Sequence, residues 1–175
     1  MQPFDFAQKH YFFELERKNQ INSSLSMPTG VLALLIGTIT FFIPKLSFDL
    51  SFSSILFIEY LIFSTISTIF TVIFLIRAYW SYEYQYLASP NKYIQLYDDL
   101  IVYYQGKSDN NVSLSSYNKF QEKLAVKYSE AATYNQERNN QKTEILHNAN
   151  NSLVWVLVFV FIDAIIFYSK HYINY

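Results

Sequence analysis

Three long stretches of this chain are almost without charge, and nothing else constrains its fold so tightly. No charged residue lies between Asn19 and Pro44. Glu59 is the only charge from Leu50 to Ile76, and from Ile145 to Ser169 the ionisable groups are His147 and Asp163. A helix crosses the hydrocarbon core of a bilayer with about 20 residues, and each stretch reaches that length once its flanks are counted. A soluble protein would have to wrap all three, and the remainder of a 175-residue chain is too polar to do so. The sequence therefore predicts an all-α protein with three transmembrane helices, at 27–44, 55–78 and 151–169. The first apolar run follows a segment containing Glu14 and Glu16 with no clear cleavage site, so it reads as a span and not as a leader.

Basic residues orient the spans. Lys9, Arg17 and Lys18 precede the first, and Lys45 alone lies in the 44–54 link. Arg77, Lys92, Lys107, Lys119, Lys123, Lys127, Arg138 and Lys142 follow the second, and Lys170 follows the third. The expected topology is an N-terminal segment (1–26) and a middle region (79–150) in the cytoplasm, with the link and the tail 170–175 outside.

The middle region reads as an antiparallel helical hairpin. The second span's helix is expected to run on through Arg77, Tyr79 and Trp80 toward Leu87, with Ser89–Pro90 as a kink or a fresh helix start. Tyr93, Ile94, Leu96, Tyr97, Leu100, Ile101 and Tyr104 recur at helical spacing, and 106–111 (GKSDNN) is a turn. A second helix from about residue 114 has Tyr117, Phe120, Leu124, Ala131, Tyr134 and Ile145 as its predicted seam, interrupted by Arg138 and Gln141. No Gly or Pro separates it from the third span. The N-terminal helix has Phe6, Phe13, Leu15, Arg17 and Ile21 as its expected packing face and is expected to join the hairpin.

Chemistry is limited by what is missing from the sequence. It has no Cys, 3 Gly and 4 Pro, which excludes a disulfide scaffold, a thiolate zinc site and a cysteine nucleophile. No phosphate-cradling glycine loop, G-x-S-x-G or H-E-x-x-H is present, and His10, His147 and His171 are scattered. The chain does not read as an enzyme, and no cofactor or metal is expected.

Polar groups inside spans carry the functional signal, because they are costly in hydrocarbon and usually face a bundle interior or water. Asp163 and Glu59 are candidates for an ion pathway. Ser64, Ser67, Thr68 and Thr71 form a hydroxyl stripe that either lines water or hydrogen-bonds between helices. Gly30, Ala33 and Gly37 give the first span a small-residue face suited to close helix packing. Arg77, Tyr82, Tyr86, Lys92, Arg138 and Lys142, in and beyond a tyrosine-rich stretch, are candidates for binding a nucleotide through ring stacking and charge. An interfacial aromatic belt is the alternative reading of those tyrosines.

The run from His10 to Thr40, with Glu14, Arg17, Lys18, Asn22, Ser23, Leu25, Pro28 and Gly30, resembles the start of the SLATT group of bacterial membrane effectors, best over residues 10–80. In size and layout the chain is also similar to the three-span channel subunits of oligonucleotide-controlled anti-phage defence systems of the Hailong type. The resemblance implies a homo-oligomeric ion channel, with a tetramer expected, that depolarises an infected cell. It also implies gating by a nucleotide or oligonucleotide made by a partner nucleotidyltransferase. A non-conducting scaffold docking a cytoplasmic enzyme and a holin-like disruptor are the competing readings.

Overall fold

A computed structural model describes residues 3–46, 51–80, 82–107 and 110–173, with side chains described as far as Lys170. Parts of three expected segments, the 44–54 link, the 106–111 turn and the 170–175 tail, lie outside the described residues. Those residues are helical throughout, apart from short connections. The order is α1 (Pro3–Ser24), α2 (Ser26–Phe42) with a 3-10 turn (Ile43–Lys45), α3 (Phe52–Tyr79), α4 (Pro90–Gly106) and α5 (Val112–Ile173). Three helical stretches are long and apolar enough to cross a membrane: Pro3–Lys45, Phe52–Tyr79 and Val112–Lys170.

One rule organises the burial. On α1 and α2 the inward positions include Ala7, Tyr11, Glu14, Ile21, Leu25, Pro28, Leu32, Leu35, Ile39 and Phe42. On α3 they are Ser54, Phe57, Leu61, Ser64, Thr71, Leu75 and Ala78. On α5 they are Ala132, Asn135, Asn139, Lys142, Leu146, Ala149, Leu153, Val156, Val160 and Asp163. Steps of three and four alternate, apart from a skipped position at 18 in α1 and at 68 in α3, which gives the 3.5-residue period of knobs-into-holes packing.

The chain divides into two compact units. The first comprises residues 1–20 and 82–140, the second residues 21–81 and 141–175. In the second unit, α2, α3 and the later part of α5 share a core of Leu32, Leu35, Ile39, Phe42, Phe57, Leu61, Leu75, Leu153, Val156 and Val160. Phe42 meets Phe57 and Phe167 edge-on or tilted, at 5.7 and 5.8 Å between ring centroids. The outward surfaces of these helices carry exposed Leu34, Ile62, Phe63, Ile69, Val154 and Phe161, as a lipid-facing surface requires.

In the first unit α1 packs on α5 through Tyr11, Ala131 and Ala132, with Leu15, Leu87 and Tyr128 against them. The α4–α5 pair is antiparallel: Tyr97 meets Phe120 at 5.3 Å, and the Ser116 hydroxyl donates to the Leu100 carbonyl. Pro90 opens α4 at its first turn, with Ser89 as the N-cap residue.

Three sequence expectations are corrected. The second span's helix does not continue toward Leu87: α3 stops at Tyr79, and 82–89 is non-helical. The α5 seam runs one position away from the expected one. Tyr117 is exposed, and polar Asn135, Asn139 and Lys142 hold seam positions in place of Tyr134 and Ile145. On α1, Phe6 and Phe13 point outward, and Tyr11 and Glu14 take their place inside.

Candidate functional site

The interior of the second unit collects the polar residues of the spans. Asp163 is fully buried on α5, and among the described residues neither carboxyl oxygen has a hydrogen-bond partner in the protein. Ser64 and Thr71 are also fully buried, on the inner face of α3. The pairing of the two helices fixes the depth of Asp163. The Ser152 hydroxyl donates to the Ser67 carbonyl at 3.0 Å, and Lys170 Nζ donates to the Ser54 hydroxyl. Asp163 lies between these two rungs, three residues beyond Val160 and four before Phe167. That is the apolar section of the bundle, where an unpartnered carboxyl group costs most.

The hydroxyl stripe is satisfied locally. Ser64 donates to the Leu61 carbonyl, Thr68 to that of Ser64 and Thr71 to that of Ser67, at 2.7–2.9 Å. Such back-bonding quiets a hydroxyl in hydrocarbon and bends a helix slightly. In this arrangement Ser64 and Thr71 line neither lipid nor an outer surface, and Ser67 and Thr68 are half-buried beside them.

The other candidates scatter. Glu59 is exposed on the opposite face of α3, with Phe63, Ile66, Phe70 and Arg77, so it does not meet Asp163. Gly30, Ala33 and Gly37 are exposed on α2, and a Cβ added at either glycine would meet nothing within 4 Å. Their predicted role in close packing is therefore not used within the chain. The proposed nucleotide residues are not gathered into one place. Lys142 is buried and donates to the Asn22 side chain, while Arg138 lies over the Tyr134 ring at 4.8 Å and hydrogen-bonds its hydroxyl. Lys92 is exposed at the start of α4, and Tyr82 and Tyr86 belong to the extended segment. The first unit has an open groove of about 550 Å³ lined by Gln85, Glu130, Thr133, Tyr134 and Glu137 among others. A second, of about 440 Å³, is lined by Asp99, Tyr103, Tyr104, Lys119 and Lys123 among others. None of the six predicted residues lines either.

The first unit holds a polar network that the sequence reading missed. Asn139 Nδ2 donates to the Glu14 carbonyl and carboxylate at 2.8 and 2.9 Å, and its Oδ1 accepts from the Tyr84 hydroxyl at 2.8 Å. Glu14 is 1% exposed, and Arg17 stands 3.5 Å from its carboxylate while donating to Asn140. Burial, reinforced by neighbouring Tyr82 and Tyr86, pushes the Tyr84 hydroxyl above the ordinary tyrosine range. The available signal was the 3.5-residue spacing of Asn135, Asn139 and Lys142, continuous with Leu146 and Ala149.

Among the described residues no cluster of three or more His, Asp or Glu is arranged to hold a metal ion. No family model, curated protein or solved structure matches this chain.

Proposed function

We propose that the chain is the pore-forming subunit of a homo-oligomeric ion channel in a bacterial inner membrane, acting as an effector of antiviral defence. The supporting observation is Asp163, a fully buried and unpartnered carboxyl group in the apolar section of a span. Groups of that kind are retained where ions or protons pass. The back-bonded Ser64, Thr68 and Thr71 describe a shut state in this reading, and conduction requires α3 and α5 to turn so that their inner faces meet water. A tetramer with a cytoplasmic first unit, gated by a nucleotide or oligonucleotide from a partner nucleotidyltransferase, is the version suggested by the likeness of residues 10–80 to the SLATT group.

The test is membrane potential in cells expressing the chain alone, read with a voltage-sensitive dye beside Asp163→Asn at equal expression. Depolarisation by the parent that the variant lacks is the expected result. No depolarisation in cells, together with no conductance after reconstitution in liposomes, would sink the proposal. The two open grooves of the first unit support a second reading, a non-conducting scaffold that docks a soluble enzyme. In that case Asp163→Asn changes stability alone.

A further inference from the structure

The segment between α3 and α4 has a conformation that its own sequence does not dictate. Residues 82–89 are non-helical, yet no Gly or Pro occurs between Ser81 and Ser89, and Glu, Gln, Leu and Ala in the segment are good helix formers. Contacts within the first unit hold it in this form. Asn135 grips the main chain of Gln85 from both sides, accepting from its N–H at 2.8 Å and donating to its carbonyl at 3.0 Å. Asn139 accepts from the Tyr84 hydroxyl. Lys18 Nζ lies 4.8 and 5.3 Å from the Tyr84 and Tyr86 ring centroids and donates to the Tyr86 hydroxyl at 2.7 Å. Leu87 packs on Tyr11 and Ala131.

We propose that residues 82–89 are a two-state strap, non-helical while held by Lys18, Asn135, Asn139 and Tyr93, and helical, continuing α3, once released. The strap is held by side chains of α1 and α5 and, at its far end, by Tyr93 of α4, whose hydroxyl accepts from the Ala88 N–H at 3.2 Å. The grip on Gln85 is on the backbone, so it opposes helix formation directly: the same N–H and carbonyl are the groups a helix would use. Ser89–Pro90 sets the far limit of the helical state, because proline disfavours helical geometry in the residue before it.

The test uses the full chain in nanodiscs and reads ¹³Cα chemical shifts. The variant Tyr84→Ala/Tyr86→Ala removes two holds from the strap and leaves the groove walls intact, and Asn135→Ala removes the main-chain grip. Both should move the shifts of 82–88 toward helical values while those of 93–104 stay fixed. Adding Glu83→Pro, at an exposed position, should abolish the helical shifts. Extended or random-coil shifts in both variants, or helical shifts that survive Glu83→Pro, would overturn the proposal.

Discussion

The two halves of α5 use the same spacing for opposite purposes. Before residue 141 the seam is Ala132, Asn135 and Asn139, and its polar groups are paired with Glu14, Tyr84 and Gln85. Beyond it the seam is Lys142, paired with Asn22, then Leu146, Ala149, Leu153, Val156 and Val160, and its acidic group, Asp163, has no hydrogen-bond partner among the described residues. A heptad pattern thus says where a helix packs but not what the packing is for. Satisfied polar positions fix register and specificity. An unsatisfied one marks a place where stability has been given up.

The largest effect should come from breaking the satisfied half. Asn139→Ala takes the acceptor from the half-buried Tyr84 hydroxyl and leaves the buried Glu14 carboxylate with Arg17 alone, and should cost about 2 kcal/mol, measured as a lower denaturation midpoint of the full chain in detergent. The unsatisfied half should respond in the opposite sense. Asp163→Val removes a carboxyl group that nothing pairs and should stabilise the chain by about 2 kcal/mol, with any conductance lost. Destabilisation by that change would place a partner on Asp163 and erase the contrast.

A smaller effect sharpens the comparison through pH. Tyr84 is raised above the ordinary tyrosine value, so the folded state holds its proton more tightly than the unfolded state does. Its contribution is fully present below about pH 10, the unfolded value, and is lost as pH rises through the higher folded value. Tyr84→Phe should flatten that part of the stability curve, followed by thermal melts between neutral pH and the alkaline limit.

The spans were legible because a run of uncharged residues about 20 long has few other uses. Ser89–Pro90 was legible as a helix start for the same local reason: proline acts on its own neighbours. The end of α3 was not legible. Nothing within 79–88 stops a helix, and the residues that do so, Lys18, Asn135 and Asn139, lie some 50 or more positions away in the sequence. The α5 seam was misplaced because apolar residues were taken to mark it, while two asparagines and a lysine occupy the buried positions. Asp163 stood out as an acid within an apolar stretch, and the structure places it on the buried face of α5. Its separation from Glu59 on α3 needed the inner and outer faces of that helix to be known.

The regular seam of α5 limits how that helix can move. Sliding α5 lengthwise past α2 and α3 finds a new fit after one heptad, about 10 Å. A shift toward its C-terminus brings Lys142 to the level now held by Ala149. A shift the other way brings Lys170 to the level of Asp163. The first leaves Lys142 short of the apolar section, whereas the second drives an ammonium into it, at about 3 kcal/mol for a lysine near the centre of a span. Travel of α5 toward its N-terminus is therefore opposed by the charge at its far end, while the opposite direction meets no such barrier from these lysines.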